Sequence, residues 1–232
     1  MLLAGCDRHP AESGNHAANA GAGNAAAPKH EDAASAEERA SEAAFGKSMT
    51  FEQDGQAYRY VEHKLVAAPF GPVLLSKAEG VDAPHVSSGL LSATYLKKDG
   101  QGFTVVRRFP AAVKSGSFGA FSDWAIRDDL AANPVAQVEG GGTWQGYSCG
   151  WTSFTELTPA GPVELVTYQD SYSDGGAVED DSSDIDSRIV KVDRGRAFTV
   201  HFSGTRTFDA VYERHGNKYE LLGGDAHMLS GC

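Results

Sequence analysis

The chain has 232 residues, with 20 Lys and Arg against 31 Asp and Glu and a formal charge of -11. Hydrophobic residues make up 41% and Gly fills 27 positions, a turn-rich globular composition that excludes collagen, coiled coils and helical membrane bundles. The acidic balance argues against nucleic acid as a partner, because phosphate binding rests on clustered cations.

The chain opens Met1-Leu2-Leu3-Ala4-Gly5-Cys6-Asp7. Leu3-Ala4-Gly5-Cys6 resembles the lipobox of bacterial lipoproteins. That resemblance implies that residues 1–6 are the remnant of a signal peptide. Cys6 would be the lipidated residue and the acylated N-terminus, and the membrane a partner through its lipid anchor. Two or three acyl chains anchor stably, each buried methylene contributing about 0.8 kcal/mol. A signal peptide needs a basic region and an apolar stretch of about 7–15 residues, so a full leader would begin upstream of Met1. In enteric lipoproteins an Asp directly after the lipidated Cys retains the protein in the inner membrane. Asp7 therefore implies the periplasmic face of that membrane.

Residues 7–48 are built from Ala, Gly, Asn, Ser, Glu and Pro, with Phe45 the one large apolar residue. They read as a disordered, Ala-rich tether, because so little apolar surface cannot offset the entropy of ordering. About 40 flexible residues would reach about 35 Å from the bilayer. Glu31 to Phe45, rich in Ala and Glu, reads as a transient helix.

From Met49 the texture changes to short apolar runs punctuated by Gly, Pro, Asn and Asp, the pattern of an all-β domain over residues 49–232. Phe51 to Pro69 reads as two strands around Asp54-Gly55. Leu90 to Phe109 reads as a hairpin, with Leu91, Ala93 and Tyr95 alternating before Asp99-Gly100 and Phe103 and Val105 after it. Asp123 to Ala132 is the one helix candidate beyond Ser48. Phe198, Val200 and Phe202 share one face of a late strand, Phe208, Ala210 and Tyr212 do the same on the next, and His215 to Lys218 turns the chain. The expected fold is an antiparallel sandwich or barrel-like domain.

Two landmarks recur in order. Pro69-Phe70-Gly71-Pro72-Val73 is echoed by Pro159-Ala160-Gly161-Pro162-Val163, and Gly102-Phe103-Thr104-Val105 by Ala197-Phe198-Thr199-Val200. They suggest two similar β halves.

With Cys6 lipidated, Cys149 and Cys232 remain as an even pair in an oxidising compartment, and a disulfide is expected. It would close a loop of about 83 residues, contributing roughly 4–5 kcal/mol in the chain-entropy picture. Two free thiols or a reactive Cys149 are the alternatives.

Gly146-Tyr147-Ser148-Cys149-Gly150 has the Gly-x-Ser-x-Gly spacing but sits between β-like segments, without the strand-to-helix elbow that would expose a nucleophile. No Ser-x-x-Lys, His-Glu-x-x-His, Cys-x-x-Cys, phosphate loop or dinucleotide fingerprint occurs, so no catalytic residue is nominated and no cofactor is implied. The acidic stretch from Asp170 to Asp186 places Asp170, Asp174, Gly175 and Asp181 at positions 1, 5, 6 and 12 of a calcium-loop pattern. A solvated hairpin tip accounts for the same residues. Trp124, Trp144, Tyr147 and Trp151, with Gly140 to Gly142, could form a surface that stacks a glycan or peptide, although core packing also claims them. Lys97, Lys98, Arg107 and Arg108 flank one hairpin turn and read as edge charges that discourage aggregation. The sequence thus points to an envelope lipoprotein acting as a non-enzymatic binding or structural module for an envelope protein, peptide or glycan. A loop-built periplasmic hydrolase and an inhibitor of an exogenous hydrolase are the alternatives.

Overall fold

The computed structural model describes residues 30–223 together with Leu229 and Cys232. Cys6, Asp7 and the first part of the tether lie outside the described residues. Among the described residues thirteen antiparallel strands follow one helix, α1 (His30–Phe45). The first sheet holds β1 (Thr50–Gln53), β2 (Gln56–Ala68), β3 (Gly71–Gly80), β4 (Gly89–Asp99) and β5 (Gly102–Ser115). The second holds β6 (Asp123–Arg127), β7 (Val135–Trp144), β8 (Tyr147–Thr158), β9 (Gly161–Ser173), β10 (Asp184–Asp193), β11 (Ala197–Gly204), β12 (Phe208–His215) and β13 (Lys218–Gly223). Each strand pairs with its neighbours in sequence, so both sheets are plain meanders.

The first sheet is the middle layer of three. Leu91, Ala93 and Tyr95 alternate as the sequence suggests and pack with Val66, Val73 and Leu75 against Ala136, Val138 and Leu157 of the second sheet. Its opposite face, with Leu74 and Leu96, is covered by Ala40 and Ala44 of α1. Both faces of β4 are therefore buried from Gly89 to Leu96. The Ala- and Glu-rich stretch that reads as a transient helix is a docked one here. Ala40 and Ala44, one turn apart, let the helix backbone lie close to the sheet, and Phe45 stacks on Tyr60 at 4.0 Å. The ordered fold thus begins before Met49.

The second sheet curls into a half-barrel, with β13 returning against β9. Phe154, Tyr168, Phe198, Tyr212 and Tyr219 fill its interior as a net of stacked and edge-on rings. Such pairs contribute about 0.5–1.5 kcal/mol each beyond their burial.

Asp123 to Ala132 is not a helix. Trp124 and Ile126 of β6 face the inter-sheet core at strand spacing, and the chain then enters a buried loop. Leu130 and Ala131 are fully buried there. The Leu130 carbonyl accepts from the Tyr219 hydroxyl at 2.6 Å and the Gly195 amide at 2.9 Å, and the Ala131 carbonyl from Arg194 Nε at 2.9 Å. Tertiary partners thus satisfy backbone groups that a helix would have satisfied locally.

The two repeated landmarks occupy equivalent places. Gly71 and Gly161 both open the second strand of a hairpin, pairing with Ala68 and Thr158, and both have a φ near +135°, which only Gly adopts without strain. Two strands later, Gly102 opens β5 and Ala197 opens β11. The landmarks thus take the same strand positions in the meanders β2–β5 and β8–β11.

Candidate functional site

A cavity of about 790 Å³ opens on the second sheet, lined by β7, β8, β9 and β10. Its position follows from the pairing. Glu139 pairs with Thr152 and Thr152 with Tyr168, so these three stand side by side on one face, and Gly141, Gly150 and Ser171 form the adjoining row. Between the two rows β9 bulges. Gln169 pairs with Trp151 and Ser171 with Gly150, leaving Asp170 as the extra residue.

Asp170 is the best-defined polar group of this cavity. Its Oδ2 accepts from the Thr152 hydroxyl at 2.5 Å and its Oδ1 from the Ser171 hydroxyl at 3.1 Å. Gly150 makes room for it, since a Cβ there would run into the Asp170 and Ser171 side chains. Burial pushes the carboxyl above the usual carboxylate range and the charge of Asp186 adds to this, while the two hydroxyls oppose it. Tyr168 beside it is also held neutral, first by burial and then by the charge of Asp170.

A second set of polar groups runs along the β6–β7 wall. Arg127 grips Asp129 with two nitrogens at 2.7 and 2.8 Å and donates to Gln137 Oε1 at 3.1 Å, and Gln137 donates to Glu139 Oε1 at 2.6 Å. The Asp129 carboxyl is held below its ordinary range by the Arg127 guanidinium. Asp184, Asp186 and Arg188 of β10 close the opposite side. Carboxylates, an amide, hydroxyls and a guanidinium together offer acceptors and donors at fixed spacings, the equipment for a hydroxylated ligand.

Of the residues singled out for calcium, Asp170 lines this cavity and the other two are elsewhere. Asp174 organises the β9–β10 loop, accepting from the Ser183 amide at 2.6 Å and the Tyr172 hydroxyl at 3.2 Å. Asp181 is exposed with a φ of 57°. Among the described residues no group of three or more His, Cys, Asp or Glu gathers as a metal site would require.

The four aromatics also separate. Trp144, Tyr147 and Trp151 line a cavity of about 440 Å³ beside Cys149 and Cys232. Trp144 stacks on His85 at 5.3 Å and meets Trp151 edge-on at 6.2 Å. Trp124 belongs to the inter-sheet core, its Nε1 donating to Glu62 at 3.0 Å. Cys149 and Cys232 stand at disulfide distance, their Cα atoms 6.3 Å apart, within the range a bridge requires. Arg107 and Arg108 have structural duties, donating to the carbonyls of Ala160 and Ala44.

Sequence reasoning missed Arg127, Gln137, Glu139, Thr152 and Tyr168 as cavity residues. A signal existed: Gln137 and Glu139 alternate with Ala136 and Val138 in β7, marking a polar face on an internal strand. Compared with protein-family models, curated proteins and solved structures, the chain finds no significant match.

Proposed function

We propose that the protein is a lipid-anchored, non-enzymatic binding module of the bacterial envelope, which holds a glycan in the cavity of its second sheet. The observation that carries this reading is Asp170, a partly buried carboxylate projected by a β-bulge into a polar cavity, where the hydroxyls of Thr152 and Ser171 donate to it. Such a group binds most favourably where a ligand supplies further donors, because burial without enough hydrogen bonds is costly. Sugar hydroxyls supply them, and the hydroxyl- and amide-bearing walls complement the same chemistry.

The anchor rests on Leu3-Ala4-Gly5-Cys6, and Asp7 supports the periplasmic face of the inner membrane. Radiolabelled palmitate is expected in the wild type and not in Cys6→Ala. The cavity is tested by calorimetric titration of the full chain with oligosaccharides chosen from a glycan array. Binding is expected in the wild type, with a loss of about tenfold or more in Asp170→Ala, the equivalent of one good charged hydrogen bond. Absence of glycan binding, or equal affinity in Asp170→Ala, would overturn the reading.

A further inference from the structure

We propose that α1 is a pH-released strap, docked over the first sheet near neutrality and let go when His63 takes a proton. The proposal starts from an imbalance around that ring. His63 Nδ1 lies 2.8 Å from the Ser76 hydroxyl, whereas Nε2 is buried and has no hydrogen-bond partner among the described residues. The ring packs in the stack beneath the helix end, 5.4 Å from Phe45 and 6.0 Å from Tyr60. A neutral imidazole tolerates this site: Nδ1–H donates to Ser76, and Nε2 keeps a bare lone pair, the cheaper group to leave unsatisfied. Protonation adds an N–H and a full charge at the position without an acceptor.

The charged groups around the ring are few. Glu37 faces it from α1 and Glu62 from its own strand, and both favour the proton, though burial outweighs them and holds His63 below its ordinary range. Glu37 is already engaged, its Oε2 accepting from the Leu65 amide at 3.0 Å. β3 presents the neutral Ser76, and Tyr60 is kept neutral by burial. Arg108 of β5 binds the Ala44 carbonyl at the helix end. The sign follows from linkage. A base whose proton affinity is lower in the docked state favours docking at high pH, and that preference is lost as the pH falls below the ordinary histidine range.

Among the described residues little else holds the strap. Ala40 and Ala44 are the buried apolar ones, Phe45 is partly exposed, and the polar ties are those of Glu37 and Arg108. Release would uncover Leu74 and Leu96, leaving the strand meander paired beneath.

Hydrogen exchange of the full chain at about pH 7.5 and about pH 5, corrected for intrinsic rates, tests the idea. Protection of α1 amides in the wild type is expected to fall about tenfold per pKa unit of coupling, with the β4 amides unchanged. In His63→Phe, α1 is expected to stay protected at both values, and in Ala44→Glu to be unprotected at both. An α1 equally protected at both values in the wild type, or the same loss in His63→Phe, would overturn the proposal. Should His63→Phe not fold, NMR titration of the wild type decides. The His63 ring and the α1 amides are expected to share one midpoint, and separate midpoints would refute the strap.

Discussion

Arg214 Nη2 lies 2.9 Å from Glu156 Oε2 and joins β12 to β8, strands that are not neighbours in the sheet. The Glu156 side chain is 6% exposed and that of Arg214 is 18% exposed. Asn133 donates to the other carboxylate oxygen at 2.9 Å, which ties the plugging loop to the same pair. A buried pair is costly to split because the surviving charge remains in a dry site. Glu156→Ala is therefore expected to destabilise by about 3–5 kcal/mol in urea unfolding, and Glu156→Leu with Arg214→Met by much less.

Leu130 fills the half-barrel from a loop. Leu130→Ala is expected to lower stability by about 2–5 kcal/mol, a buried leucine's range. Tyr219→Phe, which removes one of two donors to the Leu130 carbonyl, is expected to cost about 1 kcal/mol. Thermal melts of both variants check the ordering.

Cys232 sits next to Gln169 as well as Cys149, with Gln169 Nε2 3.5 Å from its sulfur. Cys232→Ser is expected to lower stability by about 2–5 kcal/mol. Mass spectrometry of a non-reduced digest is expected to show the two peptides linked and to lose the link on reduction.

Asp170 carries the opposite pH signature to Asp129, whose carboxyl Arg127 holds low. Its pKa is raised in the folded state, so its ionisation disfavours folding, and this penalty disappears as the pH falls through the folded pKa. Asp170→Asn is accordingly expected to melt above the wild type at neutral pH, with the gap closing in acid. A variant less stable than the wild type at pH 7 would show that the Thr152 and Ser171 contacts outweigh desolvation.

The hairpins were legible because their signals are local: Leu91, Ala93 and Tyr95 alternate, and Asp99-Gly100 turns the chain. Asp123 to Ala132 misleads because the carbonyls of Leu130 and Ala131 serve partners far away in sequence, namely Tyr219, Gly195 and Arg194. The docking of α1 was hidden for a similar reason, since alanines at 40 and 44 are ordinary in a solvated helix until a sheet lies under them. Asp170 stands out in the sequence for its charge, but its place in the cavity comes from a bulge that displaces the register by one residue, and no periodicity announces a bulge. Trp144, Tyr147 and Trp151, near one another in the chain, line one cavity, whereas Trp124 packs in the inter-sheet core.

The sequential strand order has a consequence for how the molecule comes into being. Every ladder joins strands adjacent in the chain, so loop closure between partners is short and each hairpin can zip onto the one before it. A chain emerging N-terminus first can complete β1–β5 before β6 exists, and α1 then has its seat. The second sheet must wait longer: Leu130, already emerged, needs Tyr219 and Gly195, and Glu156 needs Arg214. An interrupted synthesis would thus leave one finished sheet and a half-barrel still open, with its aromatic interior wet.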